Sequence, residues 1–388
     1  MTTIFVFFLV LGVLVLVHEL GHFIVAKRNG VGAEEFGFGL PPRLIGIYKD
    51  KTGKRRIVFG NKKVKEEVKE KEETIYSLNL LPFGGFVKIT GEDGESKDKN
   101  GRVDEKSFAN KSVWVRFKIL VAGVMMNFIL AIVLFTLAFW MGLPEHLPDD
   151  NNDQNAPVLV TILAPQSPAE QAGLKLGDKI YALADTSQHK EEIHSVSRLQ
   201  ELIDENKGKE ITLFIKHPGE EELKEVKLTP RTNPPEGEGA VGVGLAKMTI
   251  VKHSFWESVK LGVSTTINLT IMIFKFLGEL IASPFTHKHI AQSVTGPIGI
   301  AKMSGQAAKL GLAVLMHFTA MLSVNLAVIN ILPFPGLDGG RILFLLIEKI
   351  KGSPVKQEVE QMVNTVGFVI LLGLMALVVV KDVLRFWL

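Results

Sequence analysis

The stretch Val17-His18-Glu19-Leu20-Gly21-His22-Phe23 lies within a predominantly apolar run that begins at Ile4. Residues four apart share one face of an α-helix, so His18 and His22 are predicted to stand about 6 Å apart along the helix axis. Both imidazoles can then hold one zinc ion, with Glu19 beside them as a candidate general base. A chance match to a short motif is the plain alternative, but burying these polar groups in a hydrocarbon-length segment is unfavourable without a function.

The composition limits the kind of metal site and the kind of partner. The chain has 388 residues, a formal net charge of +3 and no cysteine. Disulfides and thiolate ligands are therefore excluded, and any zinc must be held by nitrogen and oxygen, which suits a catalytic site better than a structural one. The net charge is too small to suggest binding to nucleic acid.

Four apolar segments reach the length of about 20 residues that crosses about 30 Å of hydrocarbon. They are 4–26, 117–142, 310–347 and 362–380. Residues 253–282 are amphipathic and are predicted to form a membrane-surface helix. The sequence thus predicts a polytopic α-helical membrane protein with about four transmembrane helices.

Two polar intervals separate these segments. The loop 29–116 is rich in Lys and Arg, which is typical of the cytoplasmic side of a membrane. Within it, short extended pieces are predicted on either side of Pro41-Pro42 and around Pro82-Phe83-Gly84-Gly85. The second interval follows the next span, so it is predicted to lie outside the cytoplasm. Its alternation of short strands and helices over 156–231, with Ser167-Pro168-Ala169 and Gly177-Asp178, resembles a circularly permuted PDZ domain, an α+β fold.

The third apolar stretch is interrupted by Asn330-Ile331-Leu332-Pro333-Phe334-Pro335-Gly336-Leu337-Asp338-Gly339-Gly340. Two prolines and three glycines cannot continue a regular helix, and irregular backbone at membrane depth occurs only where protein buries it or water reaches it. Asp338 is then an intramembrane carboxylate and a functional candidate, with a helix cap as the alternative. A catalytic zinc needs three protein ligands, and Asp338 is the strongest candidate to join the two histidines. Asn330 is a weaker candidate for holding an unwound substrate backbone.

The second span carries Gly123 and Asn127 one helical turn apart. A small residue allows two helices to approach closely, and an asparagine in hydrocarbon needs a polar partner. Packing between helices is the plainer interpretation of this pair.

The two motifs together resemble the site-2 protease family of intramembrane zinc metalloproteases, in particular its bacterial regulator-of-sigma-E-protease branch with one PDZ domain. The resemblance implies that His18, His22 and Asp338 bind Zn²⁺ and that Glu19 is the catalytic base. It also implies that Asn330 contacts the substrate, with Pro333 and Pro335 in the same substrate-binding segment. The loop 29–116 then corresponds to a membrane-associated β-hairpin region.

The resemblance also predicts an order of segments along the chain. They are a first transmembrane helix with HExxH at 1–28, the hairpin loop at 29–116, a second transmembrane helix at 117–142, a PDZ domain at 156–231, an amphipathic surface helix at 253–282, a broken third transmembrane segment at 310–347 and a fourth transmembrane helix at 362–385.

The implied activity is hydrolysis of peptide bonds within transmembrane segments of single-span proteins already trimmed by another protease. Anti-sigma factors and signal-peptide remnants are the substrate types that the resemblance suggests. The implied location is the bacterial inner membrane, in contact with the lipid bilayer and with the PDZ domain outside the cytoplasm. Two other classes are a catalytically silent PDZ membrane scaffold and a zinc transporter. The complete His18, Glu19, His22 and Asp338 set argues against the scaffold, and the lack of an inverted repeat argues against the transporter.

Overall fold

The fold is known from a computed structural model that describes residues 2–50, 52–61, 73–92, 94, 103–147, 156–235, 237–286 and 295–387. The helices are α1 Thr2–Arg28, α2 Val113–Met141, α3 Pro168–Gln171, α4 Val196–Glu205, α5 Phe255–Thr286, α6 Pro297–Leu310, α7 Leu312–Ile331, α8 Asp338–Lys351 and α9 Gln357–Trp387. The strands are β1 Ala33–Lys49, β2 Arg55–Phe59, β3 Ile75–Ile89, β4 Leu143–His146, β5 Val158–Leu163, β6 Lys179–Ala184, β7 Lys190–Glu192, β8 Ile211–Lys216, β9 Lys224–Leu228 and β10 Val243–Val251. The chain divides into one unit of 1–136, 256–305 and 316–388, and a second unit of 137–255 and 306–315.

Within the described ranges, five helices are long and apolar enough to cross a membrane: α1, α2, α5, α7 and α9. Such helices define a multi-pass membrane protein, because only an apolar surface of this length is stable against hydrocarbon. The sequence prediction differs in one helix, since it placed 253–282 at the membrane surface. The charged residues Lys260, Lys275 and Glu279 suggested that placement, yet α5 between Phe255 and Leu280 meets the same criteria of length and hydropathy as the other four.

The third apolar stretch, predicted as one broken span over 310–347, is two separate helices. The first, α7, ends at Ile331 and the second, α8, begins at Asp338. The intervening turn contains Pro333 and Pro335, which cannot continue a helix, and Gly336 at a φ of 89°, a left-handed conformation that glycine adopts without strain. The break therefore places Asp338 at the start of a new helix.

The loop after α1 contains a three-stranded sheet in the order β2-β1-β3 rather than a simple hairpin. The first half of β1 pairs with the second half of β3, as at Phe36 and Val87, and its second half pairs with β2, as at Ile47 and Ile57. The sequence prediction of short pieces broken at the prolines was wrong on strand length. Both β1 and β3 continue through their prolines because the ladder shifts register there, so the missing N–H groups fall at irregular positions.

The second unit is a six-stranded path, β4-β10-β5-β6-β8-β9, with β7 attached to β6. Its core is formed by the inward faces of the strands and by α4, whose Leu199, Leu202 and Ile203 are buried. Two strands of this sheet, β4 and β10, lie outside the predicted bounds of 156–231. They were missed because each is separated in sequence from the strands it joins.

Candidate metal centre

The two histidines of the HExxH motif lie on one face of α1, where both are buried. Their Nε2 atoms are 3.2 Å apart. The third predicted ligand comes from α8, where Oδ2 of Asp338 is 3.0 Å from Nε2 of His18 and 3.2 Å from Nε2 of His22. Among the described residues, this trio is the one group of histidine or acidic side chains with ligand atoms close enough to share a metal ion.

The alternative role of Asp338 as a helix cap does not fit its position. Asp338 is the first residue of α8, and the N-cap position is held by Leu337, which makes no side-chain capping bond. The carboxylate turns toward the histidines instead. The side chain of Asp338 is 18% exposed, whereas both histidines are buried.

The hydrogen bonding of the trio fits a cation. Nδ1 of His22 donates to the backbone carbonyl of Ile119 at 2.8 Å, which leaves a lone pair on Nε2. Within the described part of the chain, the buried Oδ2 of Asp338 has no hydrogen-bond partner. If Nε2 of His18 is also unprotonated, two imidazole lone pairs and a carboxylate oxygen converge here, and they repel one another unless a cation lies between them. Ligand atoms at about 2.0–2.1 Å from a tetrahedral zinc ion lie roughly 3.3 Å from one another, close to the spacing observed.

The side chain of Asn127, on α2, contacts the other histidine. It is fully buried, and its Nδ2 atom lies 3.2 Å from Nδ1 of His18. When Nε2 of a histidine binds a metal, Nδ1 carries the proton and needs an acceptor. The amide oxygen of Asn127, which has no partner among the described residues, is that acceptor after a half-turn of the terminal amide. Sequence analysis interpreted Asn127 as packing between helices, because its partner is distant in sequence.

The close approach of α1 and α2 depends on Gly123. A Cβ atom at this position would lie 2.4 Å from Nε2 of His22 and 2.8 Å from Cε1 of His18. Any larger residue would therefore collide with the two imidazoles. The prediction that a small residue permits close helix approach at this position agrees with the geometry.

The candidate base, Glu19, lies outside the ligand trio and is held from the neighbouring sheet. Its Oε2 atom accepts a hydrogen bond of 3.2 Å from the backbone N–H of Val87 on β3. Glu19 is thus the neighbour of His18 in sequence, but its carboxylate is hydrogen-bonded to β3.

The predicted substrate-contacting residues occupy the segment that leads to Asp338. Asn330 is the second-last residue of α7, Pro333 is exposed, and Pro335 is partly buried. Among the described residues, the contacts that bring the trio together involve none of these three. Asn330 lies at the end of α7, and Pro333 and Pro335 lie in the segment that joins α7 to Asp338.

The fold and the site define a multi-pass membrane protein with a buried two-histidine, one-aspartate cluster suited to a metal ion. The family model described as “Peptidase family M50” matches residues 6–55 and 51–374 of this chain. A protein of Clostridium perfringens named “Putative zinc metalloprotease” is 36% identical over 373 residues, covering 96% of this chain and 95% of that protein. The “Regulator of sigma-W protease RasP” of Bacillus subtilis is 28% identical over 461 aligned residues, covering 100% of this chain and 99% of that protein.

These matches span nearly the whole chain, and the chain belongs to peptidase family M50. It is a zinc metalloprotease of the site-2 protease type, and zinc is its metal. The predictions of family, enzyme class and cofactor made from the sequence are confirmed.

Proposed function

We propose that this zinc metalloprotease hydrolyses peptide bonds inside the transmembrane segments of single-span membrane proteins. The observation that carries the proposal is the convergence of Nε2 of His18, Nε2 of His22 and Oδ2 of Asp338 within 3.2 Å. The histidines belong to α1, which has the length and hydropathy of a membrane span. A hydrolytic centre at that depth is useful only for a substrate that enters the same apolar environment.

In this proposal His18, His22 and Asp338 hold the zinc ion, and Glu19 acts as the general base. Bound zinc would supply a Lewis acid that polarises the scissile carbonyl and lowers the pKa of water. Glu19 would take a proton from the attacking water and deliver it to the nitrogen of the leaving amine. The hydrogen bonds from His22 to Ile119 and between His18 and Asn127 would keep both Nε2 atoms directed at the metal.

We further propose that the segment between α7 and α8 contacts the substrate. A peptide bond in a membrane helix is already hydrogen-bonded, so it must be unwound before water can attack it. Asn330 has an amide that can bond to an unwound backbone, and Pro333 and Pro335 keep this segment non-helical. These three residues are therefore assigned to substrate binding rather than to chemistry.

Residues 156–231, within the second unit, are assigned as a PDZ domain that lies outside the cytoplasm of a bacterial inner membrane. Its α+β architecture and the run from Ser167 to Asp178 support the first assignment. The second is supported by basic residues that flank the metal-bearing helices on the other side, including Lys27, Arg28 and Arg116. The name of the Bacillus subtilis relative links that protein to sigma-W. By analogy, an anti-sigma factor shortened by an earlier protease is the substrate type proposed for this chain, with a signal-peptide remnant as the other type.

The competing function is a catalytically silent PDZ scaffold, and one experiment separates the two. The purified, zinc-loaded chain would be reconstituted in liposomes with a single-span substrate labelled at both ends. The proposal expects cleavage within the membrane segment by the parent protein and none by Glu19→Gln. If the parent cut only outside the membrane segment, or did not cut at all, intramembrane proteolysis by this chain would be ruled out.

A further inference from the structure

The C-terminal helix α9 packs sparsely against the rest of its unit. Large apolar side chains such as Val366, Phe368 and Ile370 are more than half exposed. This pattern suits a helix that faces lipid, and the sequence predicts a transmembrane helix there. The polar side chains of Asn364 and Asp382 are exceptions to this pattern, because both face other segments of the protein rather than lipid.

Both side chains accept hydrogen bonds from the backbone of other segments. Oδ1 of Asn364 accepts from the N–H of Gly336 at 3.2 Å. The carboxylate of Asp382, which is 2% exposed, accepts from the N–H groups of Gly296 at 3.1 Å and Gly299 at 2.9 Å. The two residues are about five turns apart, so they lie on the same face of α9 and are separated by roughly 27 Å. One face of α9 is thus fixed at two points about as far apart as the hydrocarbon core is thick.

The first of these points is the segment that presents Asp338. A Cβ atom at Gly367 would lie 2.3 Å from the carbonyl oxygen of Pro335, so the backbones of α9 and this segment are in direct contact. On its other side the segment is packed against the first turn of α8, where a Cβ at Gly339 would lie 2.1 Å from the carbonyl oxygen of Leu332. The backbone that precedes Asp338 therefore contacts α8 on one side and α9 on another.

The segment between α7 and α8, which contains Pro333 and Pro335, has few internal hydrogen bonds to fix its shape. Its internal bonds include Phe334 N–H to the Leu332 carbonyl at 2.7 Å and Leu337 N–H to the Phe334 carbonyl at 3.2 Å. The N–H of Gly336 is satisfied from outside the segment, by Asn364. The loss of Asn364 would therefore remove the acceptor that this donor has in the structure.

We propose that Asn364 and Gly367 are positioning residues for the metal centre, acting through Pro335 and Gly336 on Asp338. The inference rests on the proposed role of Asp338 as a zinc ligand. Asn364 holds the segment by a hydrogen bond, and Gly367 supplies the space in which the Pro335 carbonyl lies. Residues that orient a ligand in this way typically affect metal affinity by about 10–100-fold.

The chain offers a matched control on the same helix. Both Gly367 and Gly373 lie within α9, but a Cβ at Gly373 would meet no atom of the other described segments within 4 Å. Gly367→Ala and Gly373→Ala therefore make the same chemical change and the same gain in helix propensity, and they differ only in the contact with Pro335. At the other position, Asn364→Leu removes the acceptor, whereas Asn364→Asp retains an oxygen at the same place.

The experiment measures zinc affinity of the full chain in detergent by competition with a chelator, together with cleavage and thermal unfolding. We expect at least tenfold weaker zinc binding for Gly367→Ala and Asn364→Leu, and near-parental binding for Gly373→Ala and Asn364→Asp. Parental zinc affinity in folded Asn364→Leu, or an equal loss in Gly373→Ala, would overturn the inference. If Gly367→Ala fails to fold, the Asn364 pair decides.

Asp338→Asn serves as the reference variant in the same series. If it bound zinc as tightly as the parent, the ligand assignment itself would be wrong. If it lost zinc while Gly367→Ala and Asn364→Leu did not, only the role of α9 would be refuted.

Discussion

Asn127 on α2 lies 3.2 Å from Nδ1 of His18 on α1, in a position fully closed to solvent. The backbone carbonyl of Asn127 also accepts a hydrogen bond of 2.8 Å from Oγ of Ser323 on α7. One residue thus connects a histidine of the metal centre with the helix that leads to Asp338. We therefore expect Asn127 to orient His18 in addition to packing between helices, since it contacts Nδ1 rather than the Nε2 atom that lies near Asp338.

The first prediction concerns this contact. Asn127→Leu should weaken zinc binding by about 10–100-fold, because Nδ1 of His18 would lose its partner and the ring its fixed orientation. Asn127→Asp, which keeps an acceptor oxygen, should retain most of the affinity. Asn325→Leu on α7 is the control, since the Asn325 side chain donates to the carbonyl of Met321 within its own helix. Chelator competition measures the affinity, and equal losses in Asn127→Leu and Asn325→Leu would contradict the proposed role.

The second prediction concerns the space that Gly123 leaves for the imidazoles. Gly123→Ala should reduce both zinc affinity and cleavage, because the new methyl group would occupy a position 2.4 Å from Nε2 of His22. Gly278→Ala on α5 makes the same change where a Cβ would meet no atom of the other described segments within 4 Å, and it should behave like the parent. Zinc content after gel filtration and cleavage rate would be compared for the two variants. Full zinc occupancy in Gly123→Ala would show that the helices can separate without loss of the site.

The third prediction separates proton transfer from metal binding. Glu19→Gln should lower the cleavage rate by about 10²–10⁴-fold, which is the usual contribution of a general base. Zinc affinity should stay close to that of the parent, because Glu19 lies outside the cluster of His18, His22 and Asp338. The measurement pairs a cleavage assay with zinc titration of the same preparation. A folded, zinc-loaded Glu19→Gln protein with parental activity would refute the assigned base.

The sequence predicted the parts of the site that depend on local spacing. The histidines share a face of α1 because they are four residues apart, and the prolines after Asn330 predicted the helix break before Asp338. We predicted that the histidines and Asp338 meet in space because zinc needs a third ligand and because the sequence resembles a known family. Chain periodicity carries no information about contacts between distant segments, so it did not indicate the partner of Asn127.

Strand length and the role of α9 could not be predicted for similar reasons. Prolines usually end a strand, and only the register shifts of the β1–β3 ladder explain why Pro41 and Pro82 do not. The sequence of α9 is mostly apolar and therefore predicts a membrane anchor. Its polar contacts come from Asn364 and Asp382, which lie on the same face because they are five turns apart. The contacts of Asn364 and Asp382 become visible only when the segments that they bind are in place.

The last prediction concerns the orientation of the chain in the membrane. Because the chain has no cysteine, single cysteines can be introduced without background labelling. Ser197 on α4 and Thr52 in the turn between β1 and β2 are both exposed, and they represent the two polar intervals. Because the loop that contains Thr52 is rich in Lys and Arg, we predict that it lies in the cytoplasm. In intact cells, a membrane-impermeant maleimide should therefore label Ser197→Cys and spare Thr52→Cys, and both should react after lysis. Labelling of Thr52→Cys alone in intact cells would mean that the PDZ domain lies in the cytoplasm. The orientation of the chain would then be opposite to the one proposed.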